Sequence, residues 1–151
     1  MESKKLNVLP TECSCDRCRF MCHAPCCPTP DDVIALIDAG YAKRLMLDDW
    51  PGEFNLIKPA MKGSEGEKAP WEVKTLRGCT FWTEDGSCEL HDKGLKPFQG
   101  KLAHHDHTDE EVEWIAQRIK EAWESDKGEE VIALWKRTVK YKERNFFPEF
   151  C

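Results

Sequence analysis

The sequence predicts an α+β domain that is small, rich in cysteine and stabilised by a metal ion, with a β-hairpin and two packed C-terminal helices. Three observations carry this expectation. Nine of the 151 residues are cysteine, and most of them crowd the stretch from Cys13 to Cys27, where a cluster points to ligation. Two segments near the C-terminus repeat apolar residues at helical spacing. Between these regions, short runs bounded by Gly and Pro read as strands and turns. No repeat or linker divides the chain. Residues 1–151 are expected to form one domain, with a Cys-rich metal-binding region over 13–101 and a helical hairpin over 108–144.

Residues 1–12 are polar and aperiodic, a loose lead-in. After the Cys/Pro loop, Thr29 suits an N-cap, Pro30 the first helical position, and Asp31 and Asp32 the positive helix end. Val33, Leu36 and Ile37 continue the helix, and Gly40 is its stop. A second short helix is expected over Tyr41–Asp49. Strands are expected at Phe54–Lys58 and Trp71–Leu76, with Lys62–Lys68 an exposed loop. Cys79–Trp82 and Ser87–His91 read as a hairpin around Thr83-Glu84-Asp85-Gly86. A loop holding Gly94, Pro97 and Gly100 follows. Thr108 and Glu111 then form a capping box for a helix whose stripe is Val112, Ile115, Ala116, Ile119, Ala122 and Trp123. The last helix, roughly Glu129 to Glu143, carries Val131, Leu134, Trp135, Thr138 and Val139, and the two stripes are expected to bury each other. The six tryptophans read as core and satellite packing.

Composition narrows the function. Hydrophobic residues make up 40% of the chain, too much for wholesale disorder. A net charge of −6 weighs against a nucleic-acid grip, which needs cations to neutralise phosphates. No apolar run approaches the ~20 residues of a membrane span. The opening MESKKLNVLP lacks the apolar core of a secretory signal, so a cytoplasmic location is expected. In a reducing compartment, clustered cysteines point to metal or redox chemistry rather than a disulfide framework. The expected partner is thus a metal ion, with neither nucleic acid nor membrane.

Cys15 and Cys18 form a C-x-x-C knuckle, a spacing that lets one tight turn aim two thiolates at one ion. Cys22 can add a third from the next turn. Cys79 and Cys88, on either side of the expected hairpin, can complete the site and tie the N-terminal loop to the sheet. The early cluster, Pro25, the Pro28-Thr29-Pro30 helix start, Gly78-Cys79-Thr80-Phe81 and Cys88-Glu89-Leu90-His91-Asp92 together resemble the CxxCxxCC-type proteins. That family is described as zinc- or iron-chelating domains and also as iron–sulfur oxidoreductases. Its general form is an early Cys cluster, then C-x-[IL]-[YH]-[DE] leading into R-P-x-x-C-R. The resemblance spans roughly Cys13 to Lys101. It departs at Lys96-Pro97-Phe98-Gln99-Gly100-Lys101, where Gly100 stands in place of the final Cys.

The expected metal ligands are Cys15, Cys18, Cys22, Cys79 and Cys88, and the expected role is a structural zinc site. An iron–sulfur redox protein is the alternative. A zinc-dependent hydrolase drawing a ligand or base from His104–His107 is a third reading. The roles of Cys13, Cys26, Cys27, His91 and His105 stay open, with His91 or His105 able to replace the missing Cys. Cys151 is read as a bystander. Hairpin register bears on the site. A four-residue loop, Thr83–Gly86, pairs Phe81 with Cys88 and turns Cys79 and Cys88 to one face; this is the expected register. A three-residue loop, Glu84–Gly86, pairs Trp82 with Cys88, sets Cys79 opposite His91 and sends Cys88 to the other face, which would promote His91 as a ligand candidate.

Overall fold

The computed structural model describes residues 23–50, 53–69, 78–102, 104 and 106–142. The lead-in, Cys13, Cys15, Cys18, Cys22, the strand expected over Trp71–Leu76, His105 and Cys151 lie outside these residues. The fold is α+β.

Helix α1 (Pro30–Asp38) starts as the sequence predicts. The Thr29 side chain accepts from the Asp32 amide, and the Asp32 carboxylate accepts from the Thr29 amide. Its far end closes in a Schellman motif, with Tyr41 N–H donating to the Leu36 carbonyl and Gly40 N–H to that of Ile37. Gly40, at φ 93°, holds the left-handed position that this motif needs.

The chain then departs from expectation. In place of a helix over Tyr41–Asp49 there is one 3-10 turn, Ala42–Arg44, followed by strand β1, Leu45–Trp50. It pairs antiparallel with β2, Phe54–Pro59, which matches the expected strand. Leu45, Met46 and Leu47 are all buried, as a strand covered on both faces allows. The other edge of β1 is covered too. Gly66 N–H donates to Leu45, Leu47 N–H to Glu67, and Ala69 N–H to Leu47. The loop expected over Lys62–Lys68 therefore has mostly exposed side chains but a backbone bound along the sheet.

The stretch expected as a loop around Gly100 contains a short helix, α2 (Phe98–Leu102). Asp32 reaches across from α1 to accept the Phe98 amide at 2.8 Å.

Helices α3 (Asp109–Trp123) and α4 (Asp126–Val139) close the described chain. The Thr108–Glu111 capping box is present. Helix α4 begins about a turn before Glu129, because the Ser125 hydroxyl accepts the Gly128 amide and caps it. It stops at Val139 rather than Glu143. Lys140 takes a left-handed conformation, φ 55°, and Tyr141 N–H bonds back to the Lys136 carbonyl. The expected stripes hold at Ile115, Ile119, Trp123, Val131 and Trp135, all buried, but Val112 is 55% exposed. Nor do the helices bury only each other. The Trp123 indole donates to the Pro28 carbonyl at 2.7 Å and the Trp135 indole to that of Ala42 at 2.8 Å. Both rings lie in one core with Val33, Leu36, Leu45, Ile57, Phe81 and Leu90. Among the described residues no helix is long and apolar enough to cross a membrane.

Candidate functional site

The segment holding Cys79 and Cys88 is less regular than the expected hairpin. Trp82 pairs with Cys88 in a single antiparallel bridge, Thr83 N–H donates to the Ser87 carbonyl and Glu89 N–H to that of Phe81. This is the register of the three-residue loop Glu84–Gly86, not the expected four-residue one. The cause lies in the turn: the Thr83 and Ser87 hydroxyls and the Asp85 carboxylate bond one another across it. The further consequence of that register fails as well. Trp82 N–H turns back onto the Cys79 carbonyl at 3.0 Å, so the ladder ends there. Cys79 bridges Met61 instead of facing His91, and His91 is exposed on the 3-10 turn His91–Lys93. Trp82 thus bonds Cys79 through its N–H and lies opposite Cys88 across the bridge.

The first described residue after the early cysteines meets this segment. His23, next in sequence to Cys22, accepts the Cys79 amide on its carbonyl at 2.7 Å. Its ring stands edge-on to Trp82, centroids 5.5 Å apart. The fit is close at Gly78: a β-carbon there would lie 2.7 Å from His23 Nε2, and φ is 74°. Glycine alone suits both conditions.

Cys26 and Cys27 part company. Cys27 is buried and clamped by Gln99, whose side-chain oxygen accepts the Cys27 backbone amide at 2.6 Å while the Gln99 backbone N–H donates to the Cys27 carbonyl at 3.1 Å. Burial pushes the Cys27 thiol up, and Lys58 only partly offsets this. That is the state of a packed thiol, not a ready thiolate. Burial also works against the Lys58 charge, but the charge that Cys27 carries once ionised and the Asp48 carboxylate, 2.6 Å away, hold its ammonium above the ordinary lysine range. Cys26 points elsewhere: a β-carbon at Gly100 would lie 3.2 Å from its sulfur. The position where the family resemblance expects the final Cys therefore sits against Cys26. Sequence reading missed this proximity, since the only signal was the motif offset itself.

The two described histidines of the α2–α3 connection, His104 and His107, are engaged locally. His107 bonds the Leu102 carbonyl through one ring nitrogen and faces Glu111 at 3.4 Å through the other. The His104 ring accepts the Asp106 amide. Among the described residues, no three His, Cys, Asp or Glu side chains gather so as to hold a metal ion. Cys79 and Cys88 offer two ligands, and a metal site built on them needs further ligands from outside the described residues. No protein-family model, curated protein or solved structure matches the chain.

Proposed function

We propose that the protein binds a metal ion, zinc, held mainly by thiolates from Cys15, Cys18, Cys22, Cys79 and Cys88, and that the metal is structural. The observation that carries this reading is the tie from His23 to Cys79. The residue following Cys22 is hydrogen-bonded to one late cysteine and packs on the bridge partner of the other. The first described residue after the early cluster therefore lies against the segment that carries both late cysteines, which supports a site shared between the two groups. A soft, thiolate-rich donor set suits zinc, and it would crosslink a long loop to the sheet. For the third reading, a hydrolase drawing on His104–His107, His104 and His107 have local partners, and His105 lies outside the described residues.

Protein purified without air and analysed for metal tests the proposal. A colourless protein with about one zinc per chain, reduced to substoichiometric zinc by Cys15→Ser or Cys88→Ser, is the expected result. A brown protein containing iron and sulfide would replace zinc with an iron–sulfur cluster. Full-length protein carrying neither metal would end the metal reading.

A further inference from the structure

We infer that the chain binds a second copy of itself, with the acidic groove on α3 of one copy holding the basic end of α4 of the other. The inference is independent of the metal reading. Asp109, Glu110, Glu113, Trp114, Gln117 and Arg118 line a groove of about 560 Å³. Glu110, Glu113, Trp114 and Gln117 recur three and four residues apart, so they share one face of α3. At helical spacing that face lies away from the buried Ile115, Ile119 and Trp123. The three carboxylates and Gln117 are exposed, and Trp114 is half-buried, with the Phe98 ring 6.4 Å from it between centroids. Among the described residues Asp109, Glu110 and Glu113 have no ion-pair partner.

The end of α4 supplies the opposite charge. Arg137, Lys140 and Lys142 are exposed, and among the described residues they too have no ion-pair partner. Helix dipoles account for part of this pattern, since acids favour a helix start and bases a helix end. They do not account for Glu113, beyond the first turn of α3, or for Lys142, beyond the end of α4. Nor do they explain the aromatic floor of the groove. In the free chain the Arg118 guanidinium carbon stands 5.3 Å from the Trp114 centroid, while Nη2 pairs with Glu121 at 3.0 Å. Its Nε is buried and has no hydrogen-bond partner among the described residues, an arrangement that costs free energy. Arg118 is therefore a placeholder. It marks the ring as a seat for a cation, which Arg137 of the second copy can take while Arg118 turns out to solvent. Each copy carries a charge of −6 and repels another at long range. Physiological salt screens that repulsion beyond about 8 Å, which leaves the opposed patches to decide the contact. Each copy holds both halves, the condition for a self-complementary interface.

The test is sedimentation velocity on full-length protein under reductant over a range of concentrations, with circular dichroism to confirm folding. Wild type should self-associate, and the association should weaken as salt rises. Glu110→Lys/Glu113→Lys and Arg137→Glu/Lys140→Glu should each weaken it by about tenfold, because like charges then face each other. An equimolar mixture of the two variants should restore association, since every contact in the mixed pair is again between opposite charges. Arg118→Gln, which clears the placeholder and its charge from the groove, should strengthen association, a result that a damaged fold would not give. Wild type that stays monomeric overturns the inference. If an oligoarginine peptide then binds, and Glu110→Lys/Glu113→Lys abolishes that binding, the groove belongs to a basic segment of another protein. Association that survives both charge reversals, or folded variants that fail to complement each other when mixed, overturns it as well.

Discussion

At Gly128 a β-carbon would stand 2.3 Å from the Trp123 carbonyl oxygen, a rigid backbone atom at the end of the preceding helix. Alanine normally gains about 1 kcal/mol over glycine inside a helix, but here it must push apart the short link between α3 and α4. Gly128→Ala is therefore expected to lower stability by about 1–3 kcal/mol, seen as a fall in urea midpoint at unchanged slope. Lys140 calls for the opposite change. It sits at φ 55°, where a β-carbon is strained, so Lys140→Gly should stabilise by about 1 kcal/mol. Gly100 offers a geometric check on the candidate site. With its β-carbon position 3.2 Å from Cys26 Sγ, Gly100→Cys should form a disulfide to Cys26 on mild oxidation. Peptide mapping by mass spectrometry would detect it, and a lasting failure to oxidise would refute the placement of Cys26.

The helices owe their place to more than their own contact. Trp123 and Trp135 each combine a buried ring with an indole hydrogen bond to the N-terminal half, at Pro28 and Ala42. Chelating any bound metal should therefore leave most of the far-ultraviolet helix signal, since the core joining α1, the sheet, α3 and α4 contains apolar side chains rather than thiolates as its bulk. Near-complete loss of that signal would show that the metal organises the whole domain. The same elements show where local sequence suffices. The Thr29 and Thr108 caps and the stops at Gly40 were legible because capping is settled within a few residues. Strand β1 was not: Leu45-Met46-Leu47 is a short apolar run that suits either state, and its fate is decided by β2 on one edge and residues 66–69 on the other. Gly128 concealed the true start of α4, because glycine in a first turn reads as a breaker until its packing against Trp123 is known. For the candidate site, spacing proposed the cysteine set, of which Cys15, Cys18 and Cys22 lie outside the described residues. The contact of His23 with Cys79, the Arg44–Glu89 ion pair and the Gly100–Cys26 contact were not legible, because each joins residues more than thirty positions apart.

Across the whole molecule, Arg44 and Glu89 join the sheet to the cysteine-bearing segment, which makes acid a probe of that junction. The hydrogen bond from Arg44 holds the Glu89 carboxyl below the usual glutamate range, with the Arg44 and Lys93 charges adding to it and burial opposing. A carboxyl depressed in the folded state contributes stability that is fully present above its unfolded pKa, about 4.3, and that is lost as pH falls through the lower folded value. The pair is about a third exposed on each side, so its contribution is at most about 1 kcal/mol. Metal binding responds to acid as well, since thiolates must lose their protons to ligate. Measuring with chelator present separates the two effects. Urea midpoints of metal-free wild type and Glu89→Gln should differ at pH 7 and pH 5, with wild type the more stable, and converge as pH falls below 4. A gap that persists unchanged at pH 3 would mean that the Glu89 side chain acts through packing rather than charge, and that the junction with the cysteine-bearing segment does not depend on its ion pair.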